Sequence, residues 1–346
     1  MMATTRQPAQ TAPEQAAPAP ARTAPARAGA ARAGAAARAV GKRLLAAVAV
    51  VWGAATLGFL ALQSLPGDPV DWLLGPNTMA TPALREQVRA DFGFDRPVPV
   101  QYLGYLNDLA HGRLGESYQL QQPVGELIGS RLWPTAELAA AGLLLALLAA
   151  SLAAVATAGR SRTVRGAVST AELVITAAPQ FWVGIVLLSV FSFQLRIFPV
   201  AGARDLSALV LPAITLALSV TGILSQVLRE GLETALAEPF AVTARARGLS
   251  RTAVLLRHAY RHAAVPLMTL TGWLVGSLLG GVVPVETVFG RPGIGALVLQ
   301  AVTTRDLPVI MGVIVLSSGV FVVTSALVDL LHLAVDPRVR VKEAAA

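Results

Sequence analysis

The stretch LSALVLPAITLALSVTGILSQVL, Leu206–Leu228, contains no Asp, Glu, Lys or Arg. As an α-helix it is long enough to cross about 30 Å of hydrocarbon. Leu44–Ser64, Leu138–Gly159, Leu173–Leu195, Ala263–Val285 and Leu307–Val328 are likewise free of charge. A soluble chain would need an implausibly large core to hide six such helices. The sequence therefore predicts an all-α integral membrane protein with six transmembrane helices, near residues 44–64, 138–159, 173–195, 206–228, 263–285 and 307–328. Composition agrees: 54% of the 346 residues are hydrophobic and 14% are charged, with a mean hydropathy of +0.61.

Lys and Arg placement orients these helices, because cytoplasmic loops retain positive charge. Arg22, Arg27, Arg32, Arg38, Lys42 and Arg43 precede the first span, and Arg160, Arg162 and Arg165 follow the second. Arg245, Arg247, Arg251, Arg257 and Arg261 follow the fourth, and Arg338, Arg340 and Lys342 follow the sixth. All four groups fall on one side, which puts both termini in the cytoplasm. The loop at 66–135 instead carries Asp68, Asp71, Glu86, Asp91, Asp95, Asp108, Glu116 and Glu126, as suits the outer face. The net charge of +8 follows from this topology and does not indicate nucleic-acid binding, since the arginines flank membrane segments without interleaved aromatics. Cysteine is absent, which excludes disulfides, thiol catalysis and a Cys-based metal site.

Residues 1–38 are rich in Ala, Pro, Arg and Gln and are expected to form a disordered cytoplasmic tail, a solvated extension for which contact of its arginines with anionic membrane lipid is the alternative. The tail's length and proline content do not fit a signal peptide. After the sharp exit Leu65-Pro-Gly-Asp-Pro69, the 66–135 loop has helical patterns at Pro82–Phe92 and Val100–Leu109, which predict a small extracytoplasmic helical cap. Pro134 and Thr135 are expected to start the second span.

The loop at 229–262 contains the most distinctive segment, EPFAVTARARGLS, Glu238–Ser250. Glu238 is placed to cap a short helix, Pro239 suits its first position, and Gly248 provides a left-handed stop before Ser250 caps the next helix. Thr243, Ala244 and Ala246, beside Phe240 and Val242, would let a partner approach this helix closely. In the fifth span, Gly272, Gly276 and Gly280 form a small-residue stripe that suits a subunit seam or internal helix packing.

No phosphate-binding loop is present, because Gly41-Lys42 lacks the upstream glycine and is followed by Arg43. Gly293-Ile-Gly295 reads as a turn. His258 and His262 share a helix face, but Ala259 stands where a zinc protease needs glutamate and two arginines crowd the pair. The predicted spans contain no carboxylate for a proton or sodium relay. A stand-alone carrier or channel therefore lacks its ion site, and a membrane-embedded enzyme lacks a catalytic constellation.

Several motifs resemble the B-type permease subunit of the dipeptide/oligopeptide/nickel branch of bacterial ABC importers. They are Leu65-Pro-Gly-Asp-Pro69, Phe94-Asp-Arg-Pro-Val-Pro-Val-Gln-Tyr102, Gly115-Glu-Ser117, Thr243-Ala-Arg-Ala-Arg-Gly248-Leu, Leu255-Leu-Arg-His-Ala259, Ala264-Val-Pro266, Val285-Glu-Thr-Val-Phe289 with Pro292-Gly293, Arg305-Asp306 and Asp336-Pro-Arg338. Their order covers the chain from Lys42 to Arg340. Val242 and Thr243 depart from the "EAA" form that names the loop motif, in the way the peptide branch does. The resemblance implies a subunit of the bacterial cell membrane that pairs with a second related permease and two ATPase subunits, fed by an extracytoplasmic solute-binding protein. Phe240, Thr243, Ala244, Ala246 and Gly248 would then belong to the helix that couples to an ATPase. This chain would bind no cofactor itself; ATP and magnesium would be used by the ATPases. Peptides are the expected solutes, with nickel or another small solute as the alternative. Gln180, Gln226, Thr271 and Ser277, with Ser225, Thr269 and Ser317, are the polar span residues that could line a pathway or bond neighbouring helices.

Overall fold

In the computed structural model, which describes residues 24–74, 81–203 and 205–335, the chain runs through a series of helices. They are α1 (Ala24–Gln63), α2 (Pro69–Leu74), α3 (Pro82–Asp91), α4 (Val98–Ala110), α5 (Val124–Thr157) and α6 (Arg162–Ala177). Next come α7 (Gln180–Leu187), which widens into a π-helix over Leu188–Gln194, α8 (Ser207–Ala237), α9 (Pro239–Ala246) and α10 (Arg251–Val254). A second π-helical turn, Leu255–Ala259, leads into α11 (Tyr260–Val288), followed by α12 (Ile294–Thr304) and α13 (Leu307–Val335). Among the described residues the only extended pairing is an isolated bridge between Glu116 and Pro123.

Four helices are long and apolar enough to cross a membrane: Val40–Gln63 within α1, then α5, α8, and Leu307–Leu330 within α13. Two bent pairs meet the same test. The α6–α7 pair turns by 96°, and α11 with its preceding turns bends by 55° between Leu278 and Gly280. The described helices thus provide four spans, or up to six if each bent pair crosses once. The sharp break in the predicted third span lies at Ala178-Pro179, where Ala178 is extended (ψ 134°). Proline at the next position disfavours a helical residue there and has no N–H to give.

Two predicted boundaries move. The segment 24–38, expected to be disordered, is helical as the start of α1, consistent with the high helix propensity of Ala and Arg; residues 1–23 lie outside the described residues. The second long helix begins at Val124, so Pro134 and Thr135 sit inside it and do not start it. Helicity there buries Val124, Leu127 and Ile128 against Ile294, Leu297 and Val309. The predicted helices at 82–92 and 100–109 correspond to α3 and α4. Thr81 caps α3 by accepting from the Leu84 N–H at 3.3 Å.

The centre of the molecule is the contact of α5 with α8. Gly142, Ala146, Ala150 and Ala154 of α5, with Ala158 just past its end, recur every fourth residue and are buried. They face Leu216, Leu224, Leu228 and Leu232 of α8, which are also buried. A row of small side chains one turn apart makes a groove that receives a row of large ones, the i±4 geometry of close helix pairs. A Cβ on Gly142 would lie 2.7 Å from Leu216 Cδ2. Helix α8 also packs against α6, α7, α9 and α11. The glycine stripe of α11 is internal packing at two of its three positions: Gly272 fits against Val328 and Gly276 against Phe321, both of α13, whereas Gly280 faces open space.

Gly142→Leu is expected to destabilise the protein by about 1–3 kcal/mol, because the buried Leu216 side chain must be displaced to admit the added volume. Leu148→Phe, at a position 58% exposed on another face of α5, is expected to leave stability unchanged. Thermal unfolding of the two purified variants in detergent checks the difference.

Candidate functional site

Helix α8 ends at Ala237, and Glu238 turns the chain with extended geometry (ψ 150°). Pro239 then occupies the first turn of α9, where a missing N–H costs nothing. Glu238 makes no side-chain cap bond, so its predicted capping role is corrected: the proline and the backbone turn start the helix. The other end of α9 closes as its sequence predicts. Gly248 has φ +84°, its N–H donates to Arg245 O at 2.9 Å, and the Leu249 N–H donates to Ala244 O at 3.2 Å. This pair of bonds is the Schellman arrangement, which requires a left-handed residue and so favours glycine. Ser250 then accepts from the Ala253 N–H at 3.3 Å and starts α10.

The turn holds α9 against the body of the protein by one face only. Ala241 and Ala244 are buried with Val254, against Leu236, Phe240 and Leu249. Val242, Thr243, Ala246, Arg247 and Gly248 are exposed. The prediction that Ala244 offers a surface to a partner is therefore corrected, because a period of 3.6 residues turns positions 241 and 244 inward together. The half-buried Phe240 ring stacks on His262 at 4.8 Å between centroids and lies 6.5 Å from His258. The two histidines thus flank an aromatic anchor between α9 and the start of α11.

Beneath this loop lies a charged cluster that the sequence reading missed. Arg229 of α8 donates to Thr157 Oγ1 at 2.7 Å, Ser169 Oγ at 2.7 Å and Glu172 Oε1 at 2.5 Å, and Ser225 Oγ donates to the same carboxylate oxygen at 2.5 Å. Both charged side chains are more than nine-tenths buried. The Arg251 guanidinium bonds the carbonyl of Ala158 at the end of α5, and Arg165 pairs with Glu233 at 3.1 Å. Three helices and the α9–α10 loop are tied together at this end of the molecule.

The opposite end has two further ties, built from motifs that are far apart in sequence. Asp306, 2% exposed, accepts from Ser117 Oγ at 2.5 Å, from the Tyr118 N–H at 3.1 Å and from the Gln119 N–H at 3.3 Å. Gly115-Glu-Ser117 thus meets Arg305-Asp306. Burial, together with the Asp306 charge, pushes the Tyr118 phenol up to about 12, and Arg305 lies 5.5 Å over the Trp72 ring. Glu286, fully buried, accepts from Thr135 Oγ1 at 2.6 Å and from the N–H groups of Gly295 and Ala296 at 2.8 and 3.1 Å. Nearby, the buried Arg291 pairs with Glu137 at 3.1 Å.

Residues 142–341 match the model of a family described as binding-protein-dependent transport system inner membrane component, and residues 37–139 match that of its N-terminal region. The chain belongs to this family. It is a multi-pass membrane protein and a permease subunit of the ABC importer type. It is 35% identical over 311 residues to a putative peptide permease protein of Brucella ovis, covering 86% of this chain and 98% of that one. It is similar at 34% identity over 308 residues to a probable peptide ABC transporter permease protein of Sinorhizobium fredii, with the same coverages. It is also 35% identical over 302 residues to the glutathione transport system permease protein GsiC of Salmonella choleraesuis, covering 87% and 98%. Among solved structures, the inward-facing MetNI methionine ABC transporter aligns with 61% of this chain and 96% of its own, at 15% identity and a TM-score of 0.46.

The polar residues expected in the permease's spans have distinct surroundings. Gln180 starts α7 and donates to Ser219 Oγ of α8 at 3.4 Å, whereas Ser225 is taken up by Glu172. Thr269, Thr271 and Ser277 donate to carbonyls of their own helix, at Val265, Leu267 and Leu274. Gln226 is exposed in a cleft of about 420 Å³ with Ser169, Thr170, Glu230 and Glu233, and Ser317 is half-buried on α13. Asp329 pairs with Arg43 at 3.3 Å, with both side chains nearly half exposed.

Removing one partner of the buried Arg229–Glu172 pair strands the other charge. Arg229→Met is expected to cost about 3–5 kcal/mol, and Arg229→Met with Glu172→Leu to recover most of that loss. Thermal melts of the single and double variants check this.

Proposed function

We propose that this permease forms half of the translocation pathway of an ATP-driven peptide importer and receives the ATPase stroke through α9. The observation that carries this reading is the two-sided packing of α9. Ala241, Ala244 and Phe240 fasten it to the ends of α8 and α11, while Val242, Thr243 and Ala246 are left outward. A helix bound firmly on one face and bare on the other is suited to transmit a push from a partner into the membrane helices. A second related permease would complete the pathway. Two ATPases, using ATP and magnesium, would each receive a coupling helix in a surface groove, and a solute-binding protein would deliver cargo at the Asp306 end. On this reading α9 and both termini face the cytoplasm, in line with the arginine-rich loops.

The relatives' names, peptide and glutathione permeases, support short peptides as the solute class. Nickel or another small solute is the alternative. Gln226, exposed in its cleft, is the better pathway candidate, because Gln180 already donates to Ser219 and Thr271 and Ser277 donate to their own helix. Ala244 supports the coupling role from inside, by packing, and the contact with the ATPase falls to Val242, Thr243 and Ala246.

Affinity purification of the chain from its native membrane in mild detergent is expected to recover a second permease and ATPase subunits. Val242→Glu should cut ATPase recovery at least about tenfold by setting a charge on the docking face. Gly248→Val should leave membrane insertion intact and lower transport at equal expression, since a β-branched residue is strained at positive φ. Recovery of the chain alone, with ATPase-independent solute flux in liposomes, would overturn the importer reading in favour of a carrier or channel.

A further inference from the structure

The start of α12 is held by side chains from two other helices. Gly293, its N-cap residue, supplies no side-chain bond, so the N–H groups of the first turn need partners from elsewhere. Thr135 Oγ1, from α5, accepts from the Ile294 N–H at 2.8 Å. Glu286, from the end of α11, accepts from the next two N–H groups, and the Thr135 hydroxyl donates to the other oxygen of the same carboxylate. The carboxylate therefore sits at the positive end of α12, where negative charge is stabilised.

Backbone packing reinforces this clasp. A Cβ on Gly293 would overlap the Glu286 carboxylate, and one on Gly295 would lie 2.6 Å from Val283 Cα. The beginning of α12 is thus pressed directly on the segment Gly280–Val288 of α11. That segment is bent 55° from the rest of α11, and Gly280, at the bend, meets no atom within 4 Å of where its Cβ would be. Together α12 and this segment border a cleft of about 540 Å³, lined in part by Arg131, Glu286, Ala296, Gln300 and Thr303. The far end of α11 begins next to α9, where His262 stacks on Phe240. One helix therefore runs from the proposed ATPase contact to the clasp.

We propose that Glu286 and Thr135 are positioning residues that lock α12, the bent end of α11 and the first turns of α5 into one unit, so that the three shift together when α9 is displaced. This rests on the reading of α9 as the ATPase contact. The carboxylate is the element that carries the motion across the Phe289–Gly293 turn to α12 and to the cleft that α12 lines.

The natural absence of cysteine makes the test direct. Thr303→Cys gives this chain a single thiol, on the exposed face of α12, and the maleimide labelling of this chain, separated from its partners after the reaction, is timed in the reconstituted importer without nucleotide and trapped with ATP and vanadate. With Glu286 intact, the two rates are expected to differ at least about fivefold. Glu286→Ala should abolish the difference while basal ATP hydrolysis and subunit assembly persist. Glu286→Gln should keep part of it, because the amide oxygen can still accept from α12 and the amide nitrogen can donate to Thr135. If Glu286→Ala prevents assembly, Thr135→Val, which removes one hydroxyl, decides in its place and should shrink the difference. An unchanged difference in Glu286→Ala, or in Thr135→Val where it stands in, overturns the clasp and leaves the importer reading intact. A wild-type chain that binds no ATPase fails both.

Discussion

The groove of Gly142, Ala146, Ala150, Ala154 and Ala158 is the constraint on which the rest of the structure depends. In a bilayer no hydrophobic effect drives helices together, since lipid is as apolar as leucine, so close packing has to do so. Small residues every fourth position bring α8 against α5. Once α8 is central, α6, α7, α9 and α11 all have the same surface to pack on. The π-helical turn before α11 and the bends in α6–α7 and α11 then accommodate the remaining helices to this pair.

Buried charge is tolerated around that centre because each group has a charged or hydrogen-bonding partner on another segment, although Glu172 Oε2 and Arg291 Nε are left without one among the described residues. Arg229 meets Glu172, Thr157, Ser169 and Ser225, and Glu286 meets Thr135 and the start of α12. An ion pair of this kind gives modest net stability, since desolvation offsets most of the attraction. Its effect is on register: the bonds are directional, and sliding one helix by a turn would break them all. The two clusters lie at opposite ends of α5, one under α9 and one at α12.

The same charges explain where reading the sequence fell short. Apolar runs were delimited by the nearest charged residue, and Glu137, Glu172, Arg229 and Glu286 each stand directly beside such a limit. The helices continue through all four. Charge usually marks water, but here the partner of each charge lies on a segment distant in sequence, 57 positions away for Glu172 and Arg229 and 154 for Glu137 and Arg291. Ala244 was misplaced for a related reason. Its smallness suits close approach by any neighbour, and only the position of Val254 shows that the neighbour is within this chain.

What the sequence determined by itself was local or compositional. The membrane class follows from charge-free runs, because burying backbone in hydrocarbon requires long apolar helices. The ends of α9 and the start of α10 follow from Pro239, Gly248 and Ser250, because turn and cap geometry depends on a few adjacent residues. The tertiary structure alone decided which face of α9 is bare, that Gly115-Glu-Ser117 meets Arg305-Asp306, and that Glu286 caps a helix it does not belong to. Those facts depend on which residues distant in sequence are brought into contact, and no local pattern carries that information.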